Sequence, residues 1–266
     1  MNQQRDALAD DDAVTICAVA VAAAIVADVL HEGVGHALTA LLTGAQSGVL
    51  STVAWSSAFD SRLVAAGGTL VNLAAGLAFW IALRSARNAS PQMRLFLLLS
   101  CAFNLLDGTG YFFLSGVTNF GDWAVVIAGM QPHWLWRALL TLAGMASYYA
   151  SMLLIAAGIV RYVGVPRENR KRIRKLTILP YIAAIVLAVA AGVLNPVGMR
   201  LVVVSALSAT AGGHFGMVWV QYMAPRGAVP ERATAGVSRS YAWIVAGAAL
   251  AVAFIAVLGP GVTLTR

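Results

Sequence analysis

Long apolar stretches, separated by short polar segments rich in arginine and lysine, run along almost the whole chain. Several of these stretches approach the roughly 20 apolar residues that a helix needs to span a bilayer. The pattern predicts an all-α fold, a polytopic transmembrane helical bundle of about seven spans. The predicted spans lie near residues 13–43, 62–83, 94–115, 134–160, 176–194, 200–224 and 240–258.

Composition excludes an ordinary soluble domain, because 60% of the residues are hydrophobic and only 11% are charged, against about 25% charged in soluble proteins. The net charge of +7 does not indicate a nucleic-acid partner, since the basic residues cluster in short loops between spans. Those loops follow the second, fourth and sixth spans and so share one side. The rule that basic loops face the cytoplasm then predicts a cytoplasmic N-terminus.

The remaining segments add few constraints. Residues 1–12 form an acidic tail without the basic start of a signal peptide, so we expect the first span to be retained. Cys17 and Cys101 both lie in apolar segments and give no disulfide framework. Segment 44–61 is rich in glycine and serine and alternates weakly, which favours a short hairpin or re-entrant piece.

The chemistry concentrates near the end of the first span, in His31-Glu32-Gly33-Val34-Gly35-His36. Ionisable side chains inside a membrane are functional candidates because their burial is costly. The segment nearly spells HExxH, in which two histidines on one helix face bind zinc and the glutamate activates water. One extra residue separates the two histidines here.

Asp107 on the third span is the candidate for a third ligand. His31 lies roughly 27 Å and Asp107 roughly 20 Å along their spans at 1.5 Å per residue, depths that are compatible within the uncertainty of the span boundaries. Three protein ligands and one open position are typical of catalytic zinc. We therefore expect His31, His36 and Asp107 to bind zinc, with Glu32 as the general base.

These motifs resemble the site-2 proteases, a family of intramembrane zinc metalloproteases. The family carries HExxH followed by Ala-Leu on its first core helix, a glycine-rich entry with an asparagine on the next, and Leu-Asp-Gly on the third. The matching residues are His31-Glu32…His36-Ala37-Leu38, Gly67-Gly68-Thr69-Leu70-Val71-Asn72 and Asn104-Leu105-Leu106-Asp107-Gly108. The proline-rich stretch that often precedes Leu-Asp-Gly is missing.

The resemblance implies a three-helix metalloprotease-like core over residues 13–115, with residues 116–266 adding helices to the same membrane domain. It implies a membrane-embedded zinc metallopeptidase that hydrolyses membrane-embedded or membrane-associated protein or peptide substrates within the lipid bilayer. It implies that Asn72 helps to hold the substrate or the oxyanion. With the architecture, it also implies a bacterial inner (plasma) membrane location.

The spacing of the histidines departs from the family. At i, i+5 on a regular helix they lie roughly 140° apart, so both face one metal only if the helix adapts. A π-bulge absorbing one residue would restore the alignment, and Gly33 and Gly35 would ease it.

Other interpretations stay open. Asp28, Glu32 and His36 form an i, i+4, i+8 stripe, which with Asp107 would suit iron, manganese or a proton relay in a transporter. The chain would alternatively be a non-proteolytic scaffold of the same fold. In a purely structural interpretation, the two histidines are packing residues and Asp107 caps a helix. Asn72 then links two helices, and His214 is a buried, hydrogen-bonded histidine.

Overall fold

The first long helix changes its hydrogen-bonding pattern partway along. The computed structural model describes residues 11–164, 169–195, 210–223 and 235–266. In it, α1 (Ala13–Asp28) continues into a π-helical segment (Val29–Leu38) and then α2 (Thr39–Thr43). Asp12 caps α1 by accepting a hydrogen bond from the Thr15 N–H at 2.8 Å. The histidine motif therefore lies in the π-helical part of one continuous helix.

The other helices follow the predicted apolar stretches closely. Serine side chains cap two of them, since Ser61 accepts from the Val64 N–H and Ser90 from the Met93 N–H. The bounds are α3 (Arg62–Ser85), α4 (Pro91–Thr118), α5 (Asp122–Val126), α6 (His133–Val163), α7 (Arg170–Gly192), α8 (Gly216–Met223) and α9 (Tyr241–Ala253), which continues as a π-helical turn (Phe254–Leu258).

Six helices in the described part of the chain are long and apolar enough to cross a membrane, which fits a polytopic helical membrane protein. They correspond to six of the seven predicted spans. Part of the remaining prediction, near 200–224, falls outside the described residues, and its described portion contains a π-helical turn (210–213) and the short helix α8. The six helices are Ala13–Thr43, Arg62–Ser85, Pro91–Thr118, His133–Val163, Arg170–Gly192 and Tyr241–Leu258.

A small antiparallel sheet accompanies the helices, so the described structure is mostly rather than wholly α. The predicted hairpin is confirmed as β1 (Ser47–Leu50) and β2 (Trp55–Ser56), with Val49 opposite Ser56. A strand near the C-terminus, β3 (Val262–Thr265), pairs with the other edge of β1. The strand order is β2-β1-β3.

Helix α4 lies at the centre of the bundle. Its side chains Leu98, Leu99 and Phe103 are fully buried in one core with Ile16 of α1 and Ile159 of α6. Helices α3 and α4 also pack closely, where Gly76 faces Leu105 and Gly108 faces Leu73. The described parts of segments 13–115 and 116–266 therefore both contribute to the main buried core.

Candidate metal centre

The π-helical segment brings His31 and His36 together. Hydrogen bonds from residue i to i+5 keep residues five apart on nearly the same side of such a helix, so the extra residue is absorbed. The two Nε2 atoms lie 3.2 Å apart, and both side chains are buried. The predicted local adaptation of the helix is confirmed, and it extends over ten residues rather than one bulge.

Asp122 is the third member of this group. Its Oδ2 atom lies 3.2 Å from His31 Nε2 and 3.4 Å from His36 Nε2. Helix α4 ends at Asn119 in the left-handed conformation, and Gly121 follows with φ 84°. These two residues reverse the direction of the chain, so that Asp122, the first residue of α5, lies next to the two histidines. Within the described ranges, these three side chains form the group whose donor atoms are close enough to hold a metal ion.

The spacing of the three donor atoms fits zinc. Zinc–ligand bonds of about 2.0–2.1 Å in a tetrahedral arrangement separate neighbouring ligand atoms by about 3.3–3.4 Å, close to the three separations in this group. The Nδ1 atom of His36 donates to the Val64 carbonyl oxygen at 2.7 Å, which leaves Nε2 as the nitrogen with a free lone pair. That lone pair points into the group, as a metal ligand requires.

The ionisation of Asp122 also suits a ligand. Burial acts to raise the pKa of its carboxyl group, but hydrogen bonds and charge from His31 and His36 in their protonated form outweigh burial and hold the pKa below its usual range. Asp122 is therefore a carboxylate, the form that binds metals. Its Oδ2 atom is buried and accepts no aligned hydrogen bond from the described residues.

Glycines allow α3 to approach the histidines. A Cβ atom on Gly68 would lie 2.5 Å from His36 Nε2 and 2.6 Å from His31 Nε2, and one on Gly35 would lie 2.4 Å from the Gly68 Cα. Only residues without side chains fit at this crossing. The Gly67-Gly68 pair thus closes one side of the donor group.

Glu32 lies beside the donor group and is buried, with 7% of its surface exposed. It lines a cavity of about 350 Å³ together with His36 and Asp122, and a smaller one of about 60 Å³ together with His31. Its Oε2 atom has no hydrogen-bond partner among the described residues. A carboxylate side chain that borders a cavity is placed to take up a proton there.

Asp107 does not join the two histidines, which corrects the expected grouping of His31, His36 and Asp107. Its Oδ1 atom lies 2.9 Å from His214 Nε2, and the His214 ring stacks on Phe103 with centroids 4.4 Å apart. Asp107 borders the small cavity that His31 and Glu32 also line. Asp107 lies about three turns before the end of α4 and faces His214, whereas Asp122 follows this helix and faces the two histidines.

The alternative ligand set, the stripe of Asp28, Glu32 and His36 with Asp107, does not line one cavity in the π-helical geometry. Asp28, Glu32 and Asp107 line the small cavity with His214, but His36 is not among its described lining residues. Asn72 is fully buried in α3, and neither of its amide atoms has a hydrogen-bond partner in the described structure.

Two residues of this region escaped the sequence reasoning. Asp122 lies between the predicted spans 94–115 and 134–160, and no motif around it pointed to a metal ligand. Tyr111 stacks on His31 with ring centroids 4.8 Å apart and planes at 22°. It gave no signal, since aromatic residues are common in membrane helices.

Comparison with known proteins adds no relative: no family model, curated protein or solved structure matches this chain.

Proposed function

We propose that the protein is a membrane-embedded zinc metallopeptidase in which His31, His36 and Asp122 hold the metal. The observation that carries the proposal is the convergence of their three donor atoms at separations of 3.2 to 3.4 Å. The resemblance of HEGVGH and its neighbouring motifs to site-2 proteases supports peptide-bond hydrolysis as the reaction. Zinc at such a site supplies Lewis acidity that activates water at neutral pH.

In this proposal the protein residues have separate tasks. The Val64 carbonyl oxygen fixes the ring of His36, as a supporting hydrogen bond does at many metal sites. Glu32 accepts a proton from water and passes it to the leaving amine, for which its position beside the cavity of His36 and Asp122 is suited.

The proposed substrate is a membrane-embedded or membrane-associated protein or peptide. Helical transmembrane segments protect their peptide bonds by internal hydrogen bonding, so the substrate must be locally unwound at the site. The cavity beside Glu32, His36 and Asp122 is bordered by Trp55 and Phe59 of the hairpin region. We place the protein in a bacterial inner membrane with a cytoplasmic N-terminus.

A second candidate function is proton or ion transfer through the small cavity. Three carboxylates, those of Asp28, Glu32 and Asp107, border this cavity together with His214. Buried ionisable groups in such an arrangement are typical of relays in pumps and transporters. This function predicts flux into vesicles that is lost in Asp107→Asn and His214→Ala.

The test compares Glu32→Gln with the unchanged protein, both purified in detergent. A quenched-fluorescence library of apolar peptides in mixed micelles serves as the probe. We expect cleavage by the unchanged protein, loss of at least about a hundredfold in rate for Glu32→Gln, and equal zinc content in both. Cleavage that survives in Glu32→Gln, or zinc-loaded protein that cleaves no library member, would contradict the proposal.

A further inference from the structure

A large apolar cavity is lined by α4, by α6 and by residues 212–215, which precede α8. Its volume is about 630 Å³, in the range of pockets that hold small ligands. We call it the α4–α6 groove. Its lining includes Phe113 of α4, Met145, Tyr148 and Met152 of α6, and Phe215.

The mouth of the groove faces outward from the bundle. Phe113, Met145, Tyr149 and Phe215 line it and are each between 43% and 56% exposed. Helices α4 and α6 are both long and apolar enough to span a membrane, so this mouth opens toward lipid rather than water. An occupant must therefore enter from the bilayer and present apolar groups.

The inner end of the groove adjoins the candidate metal centre. Asp107 and Tyr111 border both the groove and the small cavity that contains His31 and Glu32. Tyr111 also lines the cavity of His36 and Asp122, and its ring stacks on His31. The groove thus adjoins both cavities beside the donor group, with the Tyr111 side chain as their shared wall.

Polar groups at the inner end distinguish between apolar occupants. The Asp107 carboxylate borders the groove, and beside its contact with His214 it has the capacity to accept a further hydrogen bond from an N–H group. A lipid acyl chain has no polar atoms to place there. A peptide carries backbone N–H and C=O groups beside each side chain, and these need partners when buried.

We propose that the α4–α6 groove receives a large apolar side chain of the peptide substrate and holds the adjoining backbone beside Tyr111 and the donor group. This inference rests on the proposed function and names the substrate chemistry: an extended peptide segment with a bulky aliphatic or aromatic side chain near the bond to be cleaved. The volume suits one or a few side chains, whereas a complete helix has a diameter of about 10 Å or more.

The test is photo-crosslinking in lipid nanodiscs. The probe is a leucine- and alanine-rich transmembrane peptide with a single p-benzoylphenylalanine at its centre, and mass spectrometry locates the crosslinks. We expect crosslinks at Met152 and its neighbours in the groove. Met145→Trp, which narrows the groove, should lower the yield at Met152 by about tenfold or more.

Leu142→Trp is the matched control, because Leu142 lies one turn away on α6, is 63% exposed and does not line the groove. It should leave the yield unchanged. Gly212→Leu provides an independent block, since Gly212 lines the groove and a Cβ atom there meets no atom of the described residues within 4 Å. If one blocking variant folds poorly, the crosslinking yield of the other one still tests the proposal.

Crosslinks outside the groove, equal yields in Met145→Trp and Leu142→Trp, or a tightly held lipid that the peptide does not displace would overturn the proposal. Crosslinking needs no cleavage, so the two proposals fail separately. Groove crosslinks in a protein that cleaves nothing would contradict only the peptidase function. A cleavage rate that is unchanged in both blocking variants would contradict only the proposal that the groove binds the substrate.

Discussion

His36 Nδ1 donates a hydrogen bond to the carbonyl oxygen of Val64 across 2.7 Å. This contact joins the π-helical segment to the first turn of α3, whose start is fixed by the Ser61 cap on the Val64 N–H. It orients the imidazole ring and determines which nitrogen carries the hydrogen. The beginning of α3 thus positions a ligand of the candidate metal centre, although it contributes no ligand itself.

The glycine crossing predicts unequal effects of two similar substitutions in the histidine motif. In Gly35→Ala the new Cβ would lie 2.4 Å from the Gly68 Cα, whereas in Gly33→Ala it would meet only side-chain atoms at 3.6 and 3.8 Å. We expect Gly35→Ala to reduce stability by about 1–3 kcal/mol or more and to lower zinc content. Gly33→Ala is the control and should change neither quantity in thermal unfolding and metal analysis.

Equal unfolding temperatures and equal zinc contents for the two alanine variants would show that α3 does not approach the motif as closely as described. That outcome would also remove the reason for glycine at positions 67 and 68.

The hydrogen bonds of the Tyr148 hydroxyl predict that Tyr148→Phe and Tyr149→Phe differ in their effect on stability. It donates to the Gly213 carbonyl and accepts from the Gly216 N–H at 2.7 Å, so it ties α6 to the turn before α8. Tyr148→Phe leaves both backbone groups without this partner and should cost about 1–3 kcal/mol. Tyr149→Phe, at an adjacent and 56% exposed position, should cost nearly nothing. Chemical denaturation in detergent measures both, and equal losses would contradict the described tie.

An ion pair near the start of α1 predicts a difference in stability between two arginine substitutions on α7. Arg172 of α7 contacts both Asp11 carboxylate oxygens, at 2.8 and 3.2 Å, and Asp11 also accepts from the Val237 N–H at 2.7 Å. Because the pair is largely buried, Arg172→Ala leaves a poorly solvated charge and should destabilise the protein by about 3–5 kcal/mol.

Arg174→Ala is the matched control for this pair, since Arg174 lies on the same helix and is exposed. Thermal unfolding should separate the two variants clearly. If Arg172→Ala unfolded at the same temperature as Arg174→Ala, the contact between the start of the chain and α7 would carry no stability.

The sequence predicts the helical membrane architecture because apolar length and basic loops follow directly from bilayer thickness and charge. It also predicts a hairpin or re-entrant piece after the first span, from glycine, serine and weak alternation, and an adaptation of the helix at His31 and His36, from their spacing. The pairing of β3 with β1 was not predictable, because partners distant in sequence leave no local periodic signal.

Asp122, the third donor, was not predictable from local sequence patterns. Asp107 lies in a motif that attracts attention, whereas Asp122 lies in a loop and comes to the histidines only through the reversal at Asn119 and Gly121. A reversal of that kind depends on two backbone conformations, and their result in space is not evident from residue spacing. The pairing of Asp107 with His214 likewise joins residues more than 100 positions apart.

Zinc content of the detergent-purified protein beside Asp122→Asn and Asp107→Asn tests the central claim most directly. Both substitutions remove one carboxylate with little change of shape, and only the first removes a donor atom from the group of His31 and His36. The account predicts about one zinc per chain in the unchanged protein and in Asp107→Asn, and little zinc in Asp122→Asn. Zinc lost in Asp107→Asn but retained in Asp122→Asn, or absent from the unchanged protein, would contradict it.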